Sequence, residues 1–160
     1  GFLLPQRVLV ETQIEIKEKP GNVLDFLADL RNWRQWSEIN PSMDPSVKIE
    51  YEGAVSGIGA VKIWKGDQIG GGKISVTKIT DLPVLHYKLE PDESAVFFDG
   101  KFELRSSEDF DGTNLRWVMV ADLGFNPIMR YSGLILETSL KPEMDNSIQK
   151  LKKVVETTRF

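Results

Sequence analysis

The sequence predicts an α+β fold in which an antiparallel sheet of seven strands is followed by a long C-terminal helix. Three observations predict it. Apolar and polar residues alternate near the N-terminus, six short strand-like runs follow between residues 47 and 121, and the last section changes to helical spacing. With 160 residues, of which 41% are hydrophobic, the chain is long enough for one domain with a substantial core.

The patterned part of the chain begins with a strand and two short helical segments. Val8, Val10 and Ile16 belong to a period-of-two pattern whose other face is polar, as in a half-buried strand. Pro20 suits the first turn of a helix, and apolar residues recur at helical spacing up to Leu30. A second helical piece over residues 31–36 places two tryptophans, three positions apart, on one face.

Glycine and proline mark the turns between the next six strands. The short spacing of these turns predicts an antiparallel meander, and Asp111-Gly112 predicts the last hairpin. Gly100 lies in the middle of a long strand, on the same face as Phe98 and Phe102. A glycine there predicts either a bend or room for a cavity.

Two helical segments are predicted after the last strand. Asn126-Pro127 is typical of a helix start, and Pro142 is expected to interrupt that helix and to open the main one. From Pro142 to Thr157 the main helix would be roughly 24 Å long. Its apolar stripe would consist of Met144, Ile148, Leu151, Val154 and Val155.

Residues 1–7 are interpreted as an N-terminal tail and residues 8–160 as a single domain. The sequence starts with Gly1 and continues Phe2-Leu3-Leu4-Pro5, which has two interpretations: a purification scar before a native start, or the trimmed end of a hydrophobic anchor or signal segment. Localisation therefore stays open between the cytoplasm and a membrane-anchored position. A membrane contact is expected only through such an anchor.

Composition and charge argue against several classes of function. A formal net charge of −4 does not favour a nucleic-acid surface, which needs a basic field. Without cysteine there is no disulfide, thiol chemistry or cysteine-based zinc site, and no acidic cluster has metal-ligand spacing. His86 is the one histidine, and strand alternation places it opposite Leu85 and Tyr87, towards solvent, so no catalytic residue and no metal site is predicted.

Several local segments resemble a known superfamily. They are residues 29–37 (DLRNWRQWS), 57–60 (GIGA) with 63–66 (IWKG), 122–127 (DLGFNP) with Arg130-Tyr131, and 151–156 (LKKVVE). Together with the element order they resemble the START-related, birch-pollen-allergen-like helix-grip superfamily (SRPBCC), and within it bacterial polyketide cyclase/dehydrase-type proteins. The resemblance implies a helix-grip fold, β-αα-β6-α, whose curved antiparallel seven-stranded sheet wraps around the long C-terminal helix and leaves an apolar pocket between them.

Aromatic and methionine side chains are the candidate lining of that pocket. An internal site of this kind is usually apolar with a few polar groups. Ordinary core packing would also place these residues inside. The inward position of Trp64 is inferred from the resemblance and not from strand alternation. The candidate ligand-binding residues are Trp36, Trp64, Tyr87, Phe98, Phe102, Trp117, Met119, Met129 and Tyr131.

Three functions are compatible with these features. The first is binding or transport of a small hydrophobic or amphipathic molecule, without a cofactor, with Tyr87 or Arg130 orienting the ligand. The second is a metal-free cyclase or dehydratase in the same cavity, with Tyr87 or Tyr131 in acid–base work. The third is a protein-interaction domain resembling chaperone-ATPase activators of the same superfamily. The ligand and the oligomeric state are left open.

Overall fold

The computed structural model describes the backbone of residues 7–38, 43–92, 96–124 and 127–160, and their side chains except those of residues 127–136. It contains a helix α1 (Pro20–Ala28), a 3₁₀ helix (Leu30–Gln35) and a helix α2 (Pro127–Thr157). The strands are β1 (Arg7–Ile16), β2 (Lys48–Gly53), β3 (Ala60–Gly66), β4 (Gly70–Ile79), β5 (Val84–Pro91), β6 (Phe98–Ser106) and β7 (Thr113–Asp122).

The seven strands form one antiparallel sheet in the order β1-β7-β6-β5-β4-β3-β2. Strands β2 to β7 are a meander in which each pairs with the next, and β1 adds to the far side of β7 with Val10 opposite Met119. The predicted fold class, an α+β arrangement of a curved antiparallel sheet and a C-terminal helix, is confirmed.

One face of the sheet is buried under the helices. Along β1 the residues Val8, Val10 and Ile16 are buried whereas their neighbours are exposed, as the alternation predicts. The stripe of α2 covers this face through buried Met144, Ile148, Leu151 and Val155, with Val154 partly buried. Burial of this stripe is the main source of stability for a helix of this kind.

Helix α2 is continuous, which corrects the prediction of two helical segments separated at Pro142. It runs for 31 residues with Pro142 in its interior, and is therefore about 46 Å long. A proline inside a helix removes one backbone donor and crowds the preceding turn. Here Pro142 is exposed, while the residues that follow it pack onto the sheet, and we infer that this packing offsets the local cost.

The second helical piece is a 3₁₀ helix that positions two indole rings. Asp29 caps it, accepting a hydrogen bond from the backbone N–H of Arg31 at 3.1 Å. The N–H of Trp36 donates to the carbonyl of Trp33 at its end. Trp33 and Trp36 thus project from one turn, and their ring centroids are 4.9 Å apart.

Asp44 ties the segment before β2 to the β3–β4 turn. Its carboxylate is buried and accepts hydrogen bonds from the Ser46 hydroxyl at 2.6 Å and from the backbone N–H groups of Ser46, Gln68 and Ile69 at 3.0, 2.9 and 3.1 Å. These bonds, led by that of the Ser46 side chain, lower the pKa of Asp44 to about 2. The folded state therefore stabilises the ionised form of the Asp44 carboxyl.

An acid-stability measurement tests this contact. Because the pKa of Asp44 is lower in the folded than in the unfolded chain, its stabilisation is fully present above about pH 4 and is lost as the pH falls to about 2. We expect Asp44→Asn to be less stable than the wild type in urea at pH 7, with a difference that shrinks towards pH 2. Asp81→Asn, at an exposed turn carboxyl, should follow the wild type throughout. If Asp44→Asn were as much less stable than the wild type at pH 2 as at pH 7, the lowered pKa of Asp44 would be contradicted.

Candidate functional site

Five aromatic rings pack against one another on the concave face of the sheet. Phe102 lies at their centre, stacked on Tyr87 and Trp117 with centroid distances of 5.8 and 5.2 Å. Trp33 in the 3₁₀ helix and Trp36 directly after it meet the Phe102 ring edge to face at 5.9 and 6.0 Å. These geometries are the ones that aromatic pairs favour. We call the five residues the aromatic cluster.

Strand register explains the stacking. Phe102 is paired with Trp117 on β7, and Tyr87 is paired with Gly100 on β6. The Tyr87 ring lies directly over Gly100, where an added Cβ would overlap the Cζ atom of the ring. The space that the sequence predicted at Gly100 is therefore filled by Tyr87 and is not a cavity.

A pocket of about 170 Å³ opens beside the aromatic cluster. It lies between the sheet, the end of the 3₁₀ helix and α2. Its described lining comprises, from the sheet, Ile74, Tyr87, Leu89, Trp117 and Met119; from the 3₁₀ helix and the residues after it, Trp33, Trp36, Ser37 and Glu38; and from α2, Leu140, Glu143, Met144 and Ser147.

The indole N–H groups of the aromatic cluster differ in their hydrogen bonding. The indole N–H of Trp117 donates to the Tyr87 hydroxyl at 2.8 Å, and that of Trp33 donates to the carbonyl of Leu27 at 2.8 Å. Among the described residues the fully buried Trp36 Nε1 atom has no hydrogen-bond partner, a state that usually costs about 1–3 kcal/mol. Burial raises the pKa of Tyr87 far above its ordinary value, so its hydroxyl stays protonated and can donate to a ligand oxygen.

Two carboxylates lie at the rim of the pocket. Glu38 follows the 3₁₀ helix and accepts hydrogen bonds at 3.4 Å from both the Ser147 hydroxyl and the Asn146 side chain, while Lys150 Nζ is 3.9 Å from its Oε1 atom. Glu143, one turn before Ser147 on α2, is exposed as a whole residue, but partial desolvation of its carboxyl and the charge of Glu38 raise its pKa. The rim is thus an acidic border on an apolar pocket.

The predicted site residues fall into three groups. Trp36, Tyr87, Trp117 and Met119 line the pocket. Phe102 is buried behind them in the aromatic cluster, whereas Trp64 and Phe98 are buried outside the described lining. The side chains of Met129, Arg130 and Tyr131 lie outside the described residues.

Sequence reasoning did not include several residues of the lining. Trp33 had a usable signal, because it shares a helical face with Trp36. Ile74 and Leu89 are ordinary alternating strand residues, and Glu38 and Glu143 are brought together only by the packing of α2. No spacing along the chain indicates the carboxylate pair.

A buried lysine lies near the pocket. Lys62 is fully buried on β3, and its strand partner on β4 is Ile74, which lines the pocket. Burial first, and the positive charge of Arg34 second, lower the pKa of Lys62 to about 8. A lysine with such a pKa is partly uncharged near neutral pH, as nucleophilic or basic lysines are.

His86 lies away from the pocket, on the opposite face of β5 from Tyr87. Partial burial and the neighbouring Lys78 and Lys101 lower its pKa. In the part of the chain that the structure describes, no three histidine, aspartate or glutamate side chains are grouped as metal ligands. Among the described helices, none is both long and apolar enough to cross a membrane.

An antiparallel sheet closed by a C-terminal helix, with an apolar pocket between them, defines a helix-grip protein. The chain belongs to the family described as "Polyketide cyclase / dehydrase and lipid transport", whose model matches residues 7–156. No curated protein matches the sequence significantly.

Solved structures of low sequence identity share the fold. Truncated norcoclaurine synthase from Thalictrum flavum is 10% identical with a TM-score of 0.68, and the match covers 99% of each chain. The Zhui aromatase/cyclase from Streptomyces sp. R1128 is 14% identical with a TM-score of 0.65, over 94% of each chain. A Staphylococcus aureus protein of unknown function is 15% identical with a TM-score of 0.68, also over 94% of each chain. At these identities the likeness concerns the fold.

Proposed function

We propose that the chain binds a small, largely apolar molecule in the pocket beside the aromatic cluster and acts by sequestering or transferring it. The observation that carries the proposal is the pocket itself, whose walls are indole, phenol, thioether and aliphatic groups. Membership of a family described by polyketide cyclisation and lipid transport supports the same kind of ligand.

The size of the pocket limits the guest. About 170 Å³ is close to an engineered apolar cavity of about 150 Å³ that holds benzene, and is below the range of about 300–1,000 Å³ of drug-sized sites. The enclosed part of the ligand is therefore one ring or a short branched chain. Burial of ~150 Å² of apolar surface would contribute about 4 kcal/mol, which corresponds to a Kd of about 1 mM for a purely apolar guest.

Methionine methyl groups provide a site-specific test of binding. Met119 and Met144 line the pocket, whereas Met43 is exposed elsewhere. In protein labelled with ¹³C at the methionine methyls, titration with 3-phenylpropan-1-ol should shift the Met119 and Met144 signals, with a Kd of about 1 mM or below, and leave Met43 unchanged. Shifts at Met43 alone, or at none of the three, would contradict the proposal.

A pocket-filling variant and its matched control sharpen this test. Leu89→Trp adds a ring to the pocket wall and should weaken binding at least tenfold, because the ligand and the new side chain compete for the same space. Leu9→Trp makes the same change at a position that is 53% exposed on β1 and should leave binding unaltered. Equal affinities of the two variants would place the ligand elsewhere.

A cyclase or dehydratase acting in the same pocket is the second candidate. The observation that favours it is Glu143, a carboxyl at the pocket whose pKa is raised by burial and by the neighbouring Glu38, as in acid–base pairs. Tyr87 is a poor base because burial keeps it protonated. Chemical conversion of a bound phenolic or poly-β-keto compound, abolished by Glu143→Gln with binding retained, would support catalysis. Release of every such ligand unchanged would leave binding as the function.

A further inference from the structure

The rim of the pocket carries negative charge, whereas its walls are apolar. Among the described lining residues, Glu38 and Glu143 are the charged ones, and both are acidic. The Trp33, Trp36 and Trp117 side chains form the wall behind them. Indole rings attract cations through the negative charge of their faces, so wall and rim favour the same sign of ligand charge.

The two carboxylates also affect each other. The charge of Glu38 contributes to the raised pKa of Glu143, which means that the carboxylates repel when both are ionised. A positive group between them would remove this repulsion. Lys150 lies 3.9 Å from Glu38, but it is not part of the described lining and its side chain is 45% exposed.

We propose that the pocket is selective for cationic amphiphiles: an alkyl- or arylalkylamine whose ring or short chain enters the apolar part and whose ammonium group lies at the rim, against Glu38 and Glu143. This inference rests on the proposed function, because it names the class of ligand for the same pocket. A neutral ligand of equal shape gains no charge–charge attraction from the carboxylates, and an anionic one is repelled by them.

Three compounds with the same phenyl ring and three-carbon chain separate charge from shape. They are 3-phenylpropylamine, 3-phenylpropan-1-ol and 3-phenylpropionate, which are cationic, neutral and anionic at pH 7.5. With the Met119 and Met144 methyl shifts as the readout, we expect the amine to bind about tenfold more tightly than the alcohol, and the acid more weakly than both. Raising the salt concentration should reduce the preference for the amine and leave the affinity for the alcohol nearly constant.

Removing one carboxylate tests the source of the preference. Glu143→Gln should lower the affinity for the amine about threefold to fivefold and leave that for the alcohol unchanged. The matched control is Glu137→Gln, which changes the net charge equally on the same helix at an exposed residue outside the described lining. It should bind all three compounds as the wild type does.

The outcomes distinguish this inference from the proposed function. Equal affinities for amine and alcohol, or tightest binding of the acid, would overturn the selectivity and leave binding of an apolar ligand intact. The same holds if Glu143→Gln and Glu137→Gln reduce amine binding equally, since the effect would then come from overall charge. Failure of all three compounds to shift Met119 or Met144 would overturn both proposals.

Discussion

Replacing Phe102 by alanine should cost about 3–5 kcal/mol of the free energy of unfolding. Its side chain is fully buried, and the rings of Trp33, Trp36, Tyr87 and Trp117 all have centroids within 6.0 Å of its own. Truncation would remove the contacts at the centre of the aromatic cluster and leave a cavity, because the strand and helix around it cannot close together. The free energy of unfolding of a small domain is only about 5–15 kcal/mol, so the expected loss is a large fraction of it.

Phe97 is the matched control for that variant. It is 46% exposed next to β6, with Lys88 Nζ 4.3 Å from its ring centroid. Phe97→Ala should cost no more than about 1 kcal/mol, the usual size of an exposed cation–π contact. Urea unfolding followed by tryptophan fluorescence measures the free energy of unfolding of both variants. If Phe102→Ala does not fold, Phe102→Leu provides a smaller truncation at the same position. Comparable losses at Phe102 and Phe97 would contradict the central role of Phe102.

The fold was largely predictable because its signals are local. The alternation of β1 directly specifies which of its residues are buried, and turn residues between short strands predict the meander. The error at Pro142 has the opposite origin. A proline is a local signal for a helix boundary, and the packing of the following stripe on the sheet, which overrides it, is a tertiary effect.

The candidate site was less predictable because a void is a tertiary property. Alternation directs both Phe102 and Trp117 inward, but it does not show that Phe102 is enclosed by other rings while Trp117 borders the pocket. That difference depends on how α2 and the 3₁₀ helix approach the sheet. The pairing of Glu38 with Glu143 has the same origin, since these residues belong to elements far apart in the chain.

Substitution of Gly100 by alanine tests how tightly the aromatic cluster is seated on the sheet. The Tyr87 ring occupies the position of the missing side chain, and the added methyl would overlap ring carbons and the hydroxyl oxygen. Tyr87 cannot simply swing away, because it stacks on Phe102 and accepts a hydrogen bond from Trp117. We therefore expect Gly100→Ala to cost about 3 kcal/mol, at the upper end of overpacking effects.

Gly21 provides the control for this change. It lies in the first turn of α1, and a Cβ there would lie within 4 Å of no described atom other than those of its chain neighbours and of the helix backbone. Gly21→Ala should be neutral or stabilise by up to about 1 kcal/mol, since alanine restricts the unfolded chain more than glycine does. If Gly100→Ala changed the free energy of unfolding as little as Gly21→Ala does, the Tyr87 ring would be able to move aside without an energetic cost.

A double-mutant cycle identifies Tyr87 as the obstacle. Tyr87→Ala alone should destabilise by about 3–5 kcal/mol through the cavity it leaves. In the Gly100→Ala/Tyr87→Ala double variant the new methyl no longer meets a ring, so its own cost should largely disappear and the double variant should be about 2–3 kcal/mol more stable than the sum of the single effects. Strict additivity would mean that the glycine is required by the backbone of β6. A positive coupling would mean that Gly100 is there to seat the ring that supports the pocket wall.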